Sequence, residues 1–379
     1  MHNPVFVLAL DSFKGSMTAK EVCEAMEKGI KKVLPDAVCI KIPMADGGEG
    51  TMQALVDVLG GEIFEQEVTG PLGNQVTASY AILDDKQTAV IEMASASGLQ
   101  HLSKAELNPL VTTTFGTGEI VRTCLDKGVK KIILGLGGSA TNDGGSGFMQ
   151  ALGAKFLDKE GFELPFGGGA LKYLHKIDIS SIDKRLGETT IEVACDVTNP
   201  LCGENGASVV YGPQKVATPE MVRILDDALN HYSQVIKNQL EKDVADIPCA
   251  GAAGGLGAGL LAFTNANLCK GIDIVIKHTN LREAIKKADF VFTGEGRIDS
   301  QTQYGKTPFG VAQVAKSENK RVIAIAGSVG DGVESLYEAG FDAIFSIIPD
   351  AISLEIAMQS GKENIERTME NIIRVLVMK

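Results

Sequence analysis

The chain has 379 residues, a formal net charge of -12, and 44% hydrophobic against 22% charged side chains. That length is long for a single hydrophobic core, so two domains are expected, and the composition is that of a folded chain rather than a disordered one. The acidic balance argues against a nucleic-acid partner, because phosphate backbones demand a basic surface, but it leaves room for a local basic site that takes an anionic metabolite. The seven cysteines include no C-x-x-C pair and the five histidines no H-E-x-x-H, so neither a disulfide framework nor a zinc centre is suggested. The first apolar run ends at Asp11 with no basic region before it, and no stretch approaches membrane-spanning length. A cytoplasmic protein with no membrane partner is expected.

The opening run VFVLAL predicts a strand over residues 5–10, and Val22, Ala25, Met26, Ile30 and Val33 follow at the spacing of an amphipathic helix. Thr18 stands three residues before Glu21, a capping-box pattern at the helix start. The turn between them, DSFKGSM, offers open amides and partial positive charge to an anion, and Lys14, Ser12 and Ser16 add donors. The pattern recurs along the chain. AVCIKIPM (37–44) reads as a strand, ADGGEGT as a turn, and Met52, Leu55, Val56 and Leu59 as a helix face. After Gly60 come several short alternating runs with turn signals. KKIILGL then leads into GGSATNDGGSG and a helical FMQALGAKF, and TTIEVAC reads as a strand with Asp196 at its end. Catalytic side chains commonly project from such strand ends, although a turn-capping acid fits the position equally well. DFVF (289–292) leads into the turn TGEGRIDSQTQYGK, with Thr307 and Pro308 as N-cap and first residue of another helix. RVIAIAG and DAIFSII supply two further strands.

Strands alternating with helices predict an α/β fold whose mostly parallel sheets are flanked by helices. The longer strand–helix units at both ends, with a different pattern between them, suggest one domain inserted into another: residues 1–64 with 285–379, a Rossmann- or flavodoxin-like α/β domain, around 65–284. Ligands in such sheets bind beyond the carboxyl ends of strands, where glycine lets backbone approach them. The stretch GLGGSATNDGGSG (135–147) is the most specific for phosphate: Gly137 and Gly138 expose amides, Ser139 and Thr141 add hydroxyls, and Asn142 and Asp143 are metal or nucleotide contacts. No G-x-x-x-x-G-K-[ST] motif is present. Acids within phosphate loops make sense if a divalent cation is held there or a hydroxyl must be deprotonated, and a kinase needs both.

The blocks DSFKGSMTAKE, PMADGGEGT, IEMASASGL, TTTFGTGEIV, GLGGSATNDGG, CDVTNPLCGENGAS, YGPQKVATP and FTGEGRIDSQTQYGKTP, in this order from Asp11 to beyond Gly327, resemble the bacterial glycerate kinase family. The resemblance implies ATP-dependent phosphorylation of D-glycerate with Mg²⁺, and two α/β domains, one inserted into the other, with the active site between them. It implies that Lys14, Ser12 and Ser16 hold phosphate or the glycerate carboxylate. Asp46, Gly47, Gly48 and Glu49 would face the substrate, and Arg297 would grip its carboxylate. The 137–143 loop and Gly294 would meet the ATP phosphates, Asp143, Glu295 and Asp299 the metal, and Asp196 would accept the hydroxyl proton, with Lys14 as its catalytic companion. The 2-hydroxyl is favoured over the 3-hydroxyl by the resemblance alone. A kinase for another small hydroxy acid is the nearest alternative. A nicotinamide-dependent oxidoreductase should carry a clean G-x-G-x-x-G turn and a catalytic histidine, neither of which is evident, and a non-catalytic metabolite sensor would not need every one of these acids.

Overall fold

The computed structural model describes residues 3–378. Its strands, in chain order, are β1 (Val5–Leu10), β2 (Val38–Lys41), β3 (Gly61–Thr69), β4 (Gln75–Leu83), β5 (Thr88–Glu92), β6 (Lys131–Gly135), β7 (Lys155–Leu157), β8 (Lys176–Asp178), β9 (Thr190–Ala194), β10 (Ala266–Cys269), β11 (Phe290–Ile298), β12 (Arg321–Val329) and β13 (Ala343–Ser346). The fold is α/β, and it divides into two units: one holds the chain's two ends, up to Gly60 and from Lys270 onward, and the other is Gly61–Cys269.

The first unit is a parallel sheet in the order β13-β12-β11-β1-β2. β1 is apolar along its whole length because both of its faces are covered. On one face Phe6, Leu8 and Leu10 pack with Met26 and Ile30 of the helix Ala19–Val33 and with Ile365, Met369 and Ile373 of the helix Gly361–Leu376. The Thr18–Glu21 capping box forms as the sequence predicts. The chain leaves β1 toward β2 on one side and returns as β11 on the other, pairing Leu10 with Gly294. The carboxyl ends of β1 and β11 therefore flank the topological switch point, where parallel α/β sheets take their ligands.

β11 corrects the reading of TGEGRI as turn. The strand runs on to Ile298, because β12 continues alongside it and pairs Arg297 with Ser328 and Ile298 with Val329. A glycine-rich segment becomes strand when a neighbour supplies its ladder.

In the second unit the order is β10-β9-β6-β5-β4-β3. β10, β9, β6 and β5 are parallel, while β5-β4 and β4-β3 are antiparallel, which accounts for the short alternating runs after Gly60. FMQALGAKF is helical only in its first half. The helix Ser146–Ala151 ends before Gly153, whose φ of +98° no helix accepts, and Lys155 opens β7, paired antiparallel with β8. No helix among the described residues is long and apolar enough to cross a membrane.

Candidate active site

In the first unit the switch point gathers charge. Asp11 follows β1 directly; its backbone N–H donates to the Gly294 carbonyl at 2.9 Å. Its carboxylate accepts from Ser12 N–H at 2.6 Å and from the Thr307 hydroxyl at 2.6 Å. Burial, with the charge of Asp46 added, pushes the Asp11 carboxyl up to about 6, against the opposing pull of these hydrogen bonds. Glu295, near the end of β11, accepts from Thr302 Oγ1 at 2.9 Å and pairs with Lys306 at 3.4 Å. Burial still raises its carboxyl to about 7, because Lys306 and Thr302 offset only part of the desolvation. Two carboxyl groups that titrate near neutrality, beside an ammonium and two threonine hydroxyls, suit a ligand rich in hydroxyls and anionic oxygen.

In the second unit the loop after β6 is tied down from beneath. Asp143 is fully buried and accepts four hydrogen bonds: from Thr114 N–H at 2.8 Å, Thr114 Oγ1 at 2.9 Å, Gly145 N–H at 3.1 Å and Gly147 N–H at 3.3 Å. Burial raises its carboxyl nonetheless. Asn142 Nδ2 donates to Ser208 Oγ at 3.0 Å, and Gly144 N–H to the Gly254 carbonyl at 3.0 Å. Gly254 sits at φ +67°, and a Cβ there would overlap the Thr141 carbonyl, so only glycine allows this close approach. Gly137 and Gly138, by contrast, are exposed, and their amides enter none of these bonds. A rigid base under an open glycine rim is the arrangement a phosphate loop requires.

A model described as the glycerate kinase family matches residues 6–377. The chain belongs to the glycerate kinase family. It is 54% identical to a glycerate kinase of Halalkalibacterium halodurans over 97% of this chain and 96% of that one. It is 51% identical to the glycerate 2-kinase of Escherichia coli, over 98% and 97% of the two chains. Among solved structures, a Salmonella typhimurium LT2 protein described as glycerate kinase 2 superposes with a TM-score of 0.92 at 50% identity, covering 99% of this chain and 98% of that one.

Set in that family, the residues singled out from sequence fall into distinct environments. Lys14 and Glu49 are exposed, and Asp46 is half-buried with Gly48 N–H donating to it at 3.2 Å. Gly47 takes φ +94° in the turn between them. Ser12 turns its hydroxyl to Asp11 at 3.3 Å, whereas Ser16 donates to the Met358 carbonyl at 2.6 Å and is engaged in packing. Arg297, expected to grip a carboxylate, pairs with Asp299 at 2.9 Å on the surface. Gly294 is buried in the sheet, where a Cβ would overlap the Ile325 carbonyl. Ser139, Thr141 and Asn142 are buried in the loop, and the Thr141 hydroxyl and Asn142 Oδ1 have no hydrogen-bond partner within the protein. Asp196 is exposed just past β9, and the backbone N–H of Cys195 before it still donates to the Cys269 carbonyl at 2.8 Å. Asp11, Lys306 and Thr307 were not singled out by sequence as site residues. Position offers the one signal that could have found them: Asp11 directly follows a buried strand, and Lys306 stands at the cap of the helix that Thr307 and Pro308 open, Thr307–Ser317.

The donor sets for a metal differ from those expected. The oxygens of Asp143 are taken up by backbone and threonine donors, and those of Asp299 by Arg297 and by Gln301 N–H at 2.9 Å, where it caps the turn Ser300–Gln303. Neither fits as a cation ligand. Glu295 is paired with Lys306, and no three histidine, cysteine or carboxylate side chains among the described residues converge as a metal cage. Mg²⁺ needs no such cage, since it keeps several waters and binds chiefly through substrate phosphates.

Proposed function

We propose that this chain transfers the γ-phosphoryl group of ATP to the 2-hydroxyl of D-glycerate, giving 2-phosphoglycerate and ADP, in the cytoplasm. The observation that carries this reading is the end-to-end identity with glycerate kinases, including one named for the 2-position. The glycerate oxygen attacks the γ-phosphorus while the bond from that phosphorus to the β,γ-bridging oxygen breaks, and the hydroxyl proton passes to a carboxylate. Asp196 is assigned that proton.

The exposed rim at Gly137 and Gly138 is assigned the ATP phosphates, with Ser139, Thr141 and Asn142 behind it. Lys14 and Ser12 are assigned the anionic groups of the substrate, and Asp11 with Glu295 the glycerate hydroxyls, which accords with two carboxyls of raised pKa. Catalysis in such a reaction is mainly positioning and charge stabilisation. Mg²⁺ is assigned to the nucleotide rather than to a cage of side chains, and when bound there it would neutralise phosphate charge.

Coupled measurement of ADP release with and without D-glycerate tests the reaction, and phosphorus NMR of the product tests the position. Glycerate-independent ADP release, or no release, would overturn the assignment. A 3-phosphoglycerate product would overturn the regiochemistry alone.

A further inference from the structure

Lys215 ends the short turn Pro213–Lys215 and is 0% exposed. Its ammonium donates to the Thr141 carbonyl at 2.6 Å, 74 residues away in sequence and in the middle of the 137–143 loop. The turn that carries it is itself fixed, with Lys215 N–H bonded to Gly212 O at 2.9 Å. Burial pushes its ammonium down to about 7, and the charge of buried Asp143 opposes that only in part. A lysine held this way is a poor stability device, since an apolar side chain of similar length would fill the same space without the desolvation cost.

The bond has a directional consequence. In a trans peptide the C=O of one residue and the N–H of the next point to opposite sides. Drawing the Thr141 carbonyl to Lys215 therefore turns the Asn142 N–H away from Lys215, and that N–H enters none of the hydrogen bonds that hold the loop. Asp143 and Ser208 clamp the following residues, while Lys215 sets the peptide before them.

We propose that Lys215 is a positioning residue of the kinase: it fixes the buried Thr141–Asn142 peptide plane behind the exposed Gly137–Gly138 rim, so that the loop keeps the shape and the positive field that take the nucleotide phosphates. This rests on the assignment of the 137–143 loop to ATP.

The test uses the full chain, with ADP affinity by calorimetry, steady-state kinetics and thermal unfolding measured on each variant. Lys215→Met is expected to weaken ADP binding and raise the KM for ATP by about ten-fold or more, the scale of a lost charged hydrogen bond. The KM for glycerate should stay near wild type and Tm should fall only modestly, since the buried Thr141 carbonyl loses its donor while the cost of burying an ammonium is removed. Lys215→Gln, which keeps a shorter neutral donor, should recover part of the affinity. Wild-type ADP affinity in Lys215→Met overturns the proposal, and so does a collapse of Tm in both variants, which would make the lysine structural. Gly138→Asp, on the exposed rim at φ +76°, separates the two levels of the argument. Loss of ADP binding there, with normal binding in Lys215→Met, removes the positioning role alone, whereas normal binding in Gly138→Asp removes the loop assignment beneath it.

Discussion

The Thr307 hydroxyl donates to Asp11 Oδ2 at 2.6 Å, joining two residues 296 positions apart in sequence. Thr307 opens the helix Thr307–Ser317 but does not cap it. Lys306 occupies the cap position without a side-chain capping bond, its ammonium turned to Glu295, and the threonine serves the acid at the end of β1 instead. The helix start and the strand end are thereby locked together at the switch point of the first sheet.

That arrangement sets a stability penalty against a chemical role. The Asp11 carboxyl is raised from 3.8 to about 6, chiefly by burial and then by the charge of Asp46. A raised carboxyl contributes stability that is full below the unfolded value and is lost as pH rises through the folded one. Asp11→Asn removes this titration while keeping an acceptor for Thr307. Relative to wild type the variant should gain stability between pH 3.8 and 6. The gain should level off above that window, on the order of 2–3 kcal/mol. Its kcat should nevertheless fall by about 100-fold or more if the acid contacts the reacting hydroxyl. Urea unfolding across pH, with kinetics on the same preparation, checks both halves. A variant that is no more stable at neutral pH, or one that is fully active, would count against the reading.

Much of this frame was legible in the chain. β1, the Thr18–Glu21 box and the strands β6, β9 and β12 declare themselves by local period and capping chemistry. The misreadings share a physical cause. TGEGRI looks like a turn because glycine breaks isolated strands, yet β12 supplies the ladder that overrides the propensity. Asp143 reads as a metal ligand because an acid among glycines often is one, and only the fold brings Thr114 to it. Ser16 finds Met358 and Lys215 finds Thr141 across long separations, so no window of sequence could show that one is a packing contact and the other a buried cation. Burial of charge is a tertiary property, and it decides most of the site's chemistry.

Lys14 is exposed in the turn after β1, so its replacement should leave the fold almost untouched. If it neutralises charge during transfer, Lys14→Ala lowers kcat by about 100-fold or more at nearly constant Tm. Kinetics and a thermal melt decide it. Near-normal turnover would leave Lys14 as an ordinary solvated turn residue.

Activity should also vanish with excess chelator and return with Mg²⁺ or Mn²⁺. Because no three metal-ligating side chains converge among the described residues, the fold itself should hold without the ion. A Tm unchanged by chelator together with lost turnover is the expected pair of results. Full turnover in chelator would remove the divalent cation from the reaction, and a large fall in Tm would point to a structural ion.

Asp196 carries the sharpest risk. It stands exposed immediately after Cys195, whose backbone N–H donates to the Cys269 carbonyl and carries the β9–β10 ladder one bond further, so the acid is presented beyond the last ladder bond. Asp196→Asn preserves shape and most hydrogen-bonding capacity but removes the charge and the basicity. As proton acceptor, Asp196 should be needed for transfer and dispensable for nucleotide binding, so kcat should fall by about 100-fold or more while ADP affinity is retained. A turn-capping aspartate behaves otherwise, since asparagine caps almost as well and turnover would change little. If the side chain instead steadies the nucleotide's cation, raising the Mg²⁺ concentration should restore much of the lost rate. Measuring kcat, ADP affinity and metal dependence on one preparation separates these cases: wild-type turnover ends the catalytic role, and metal rescue moves Asp196 from base to ligand.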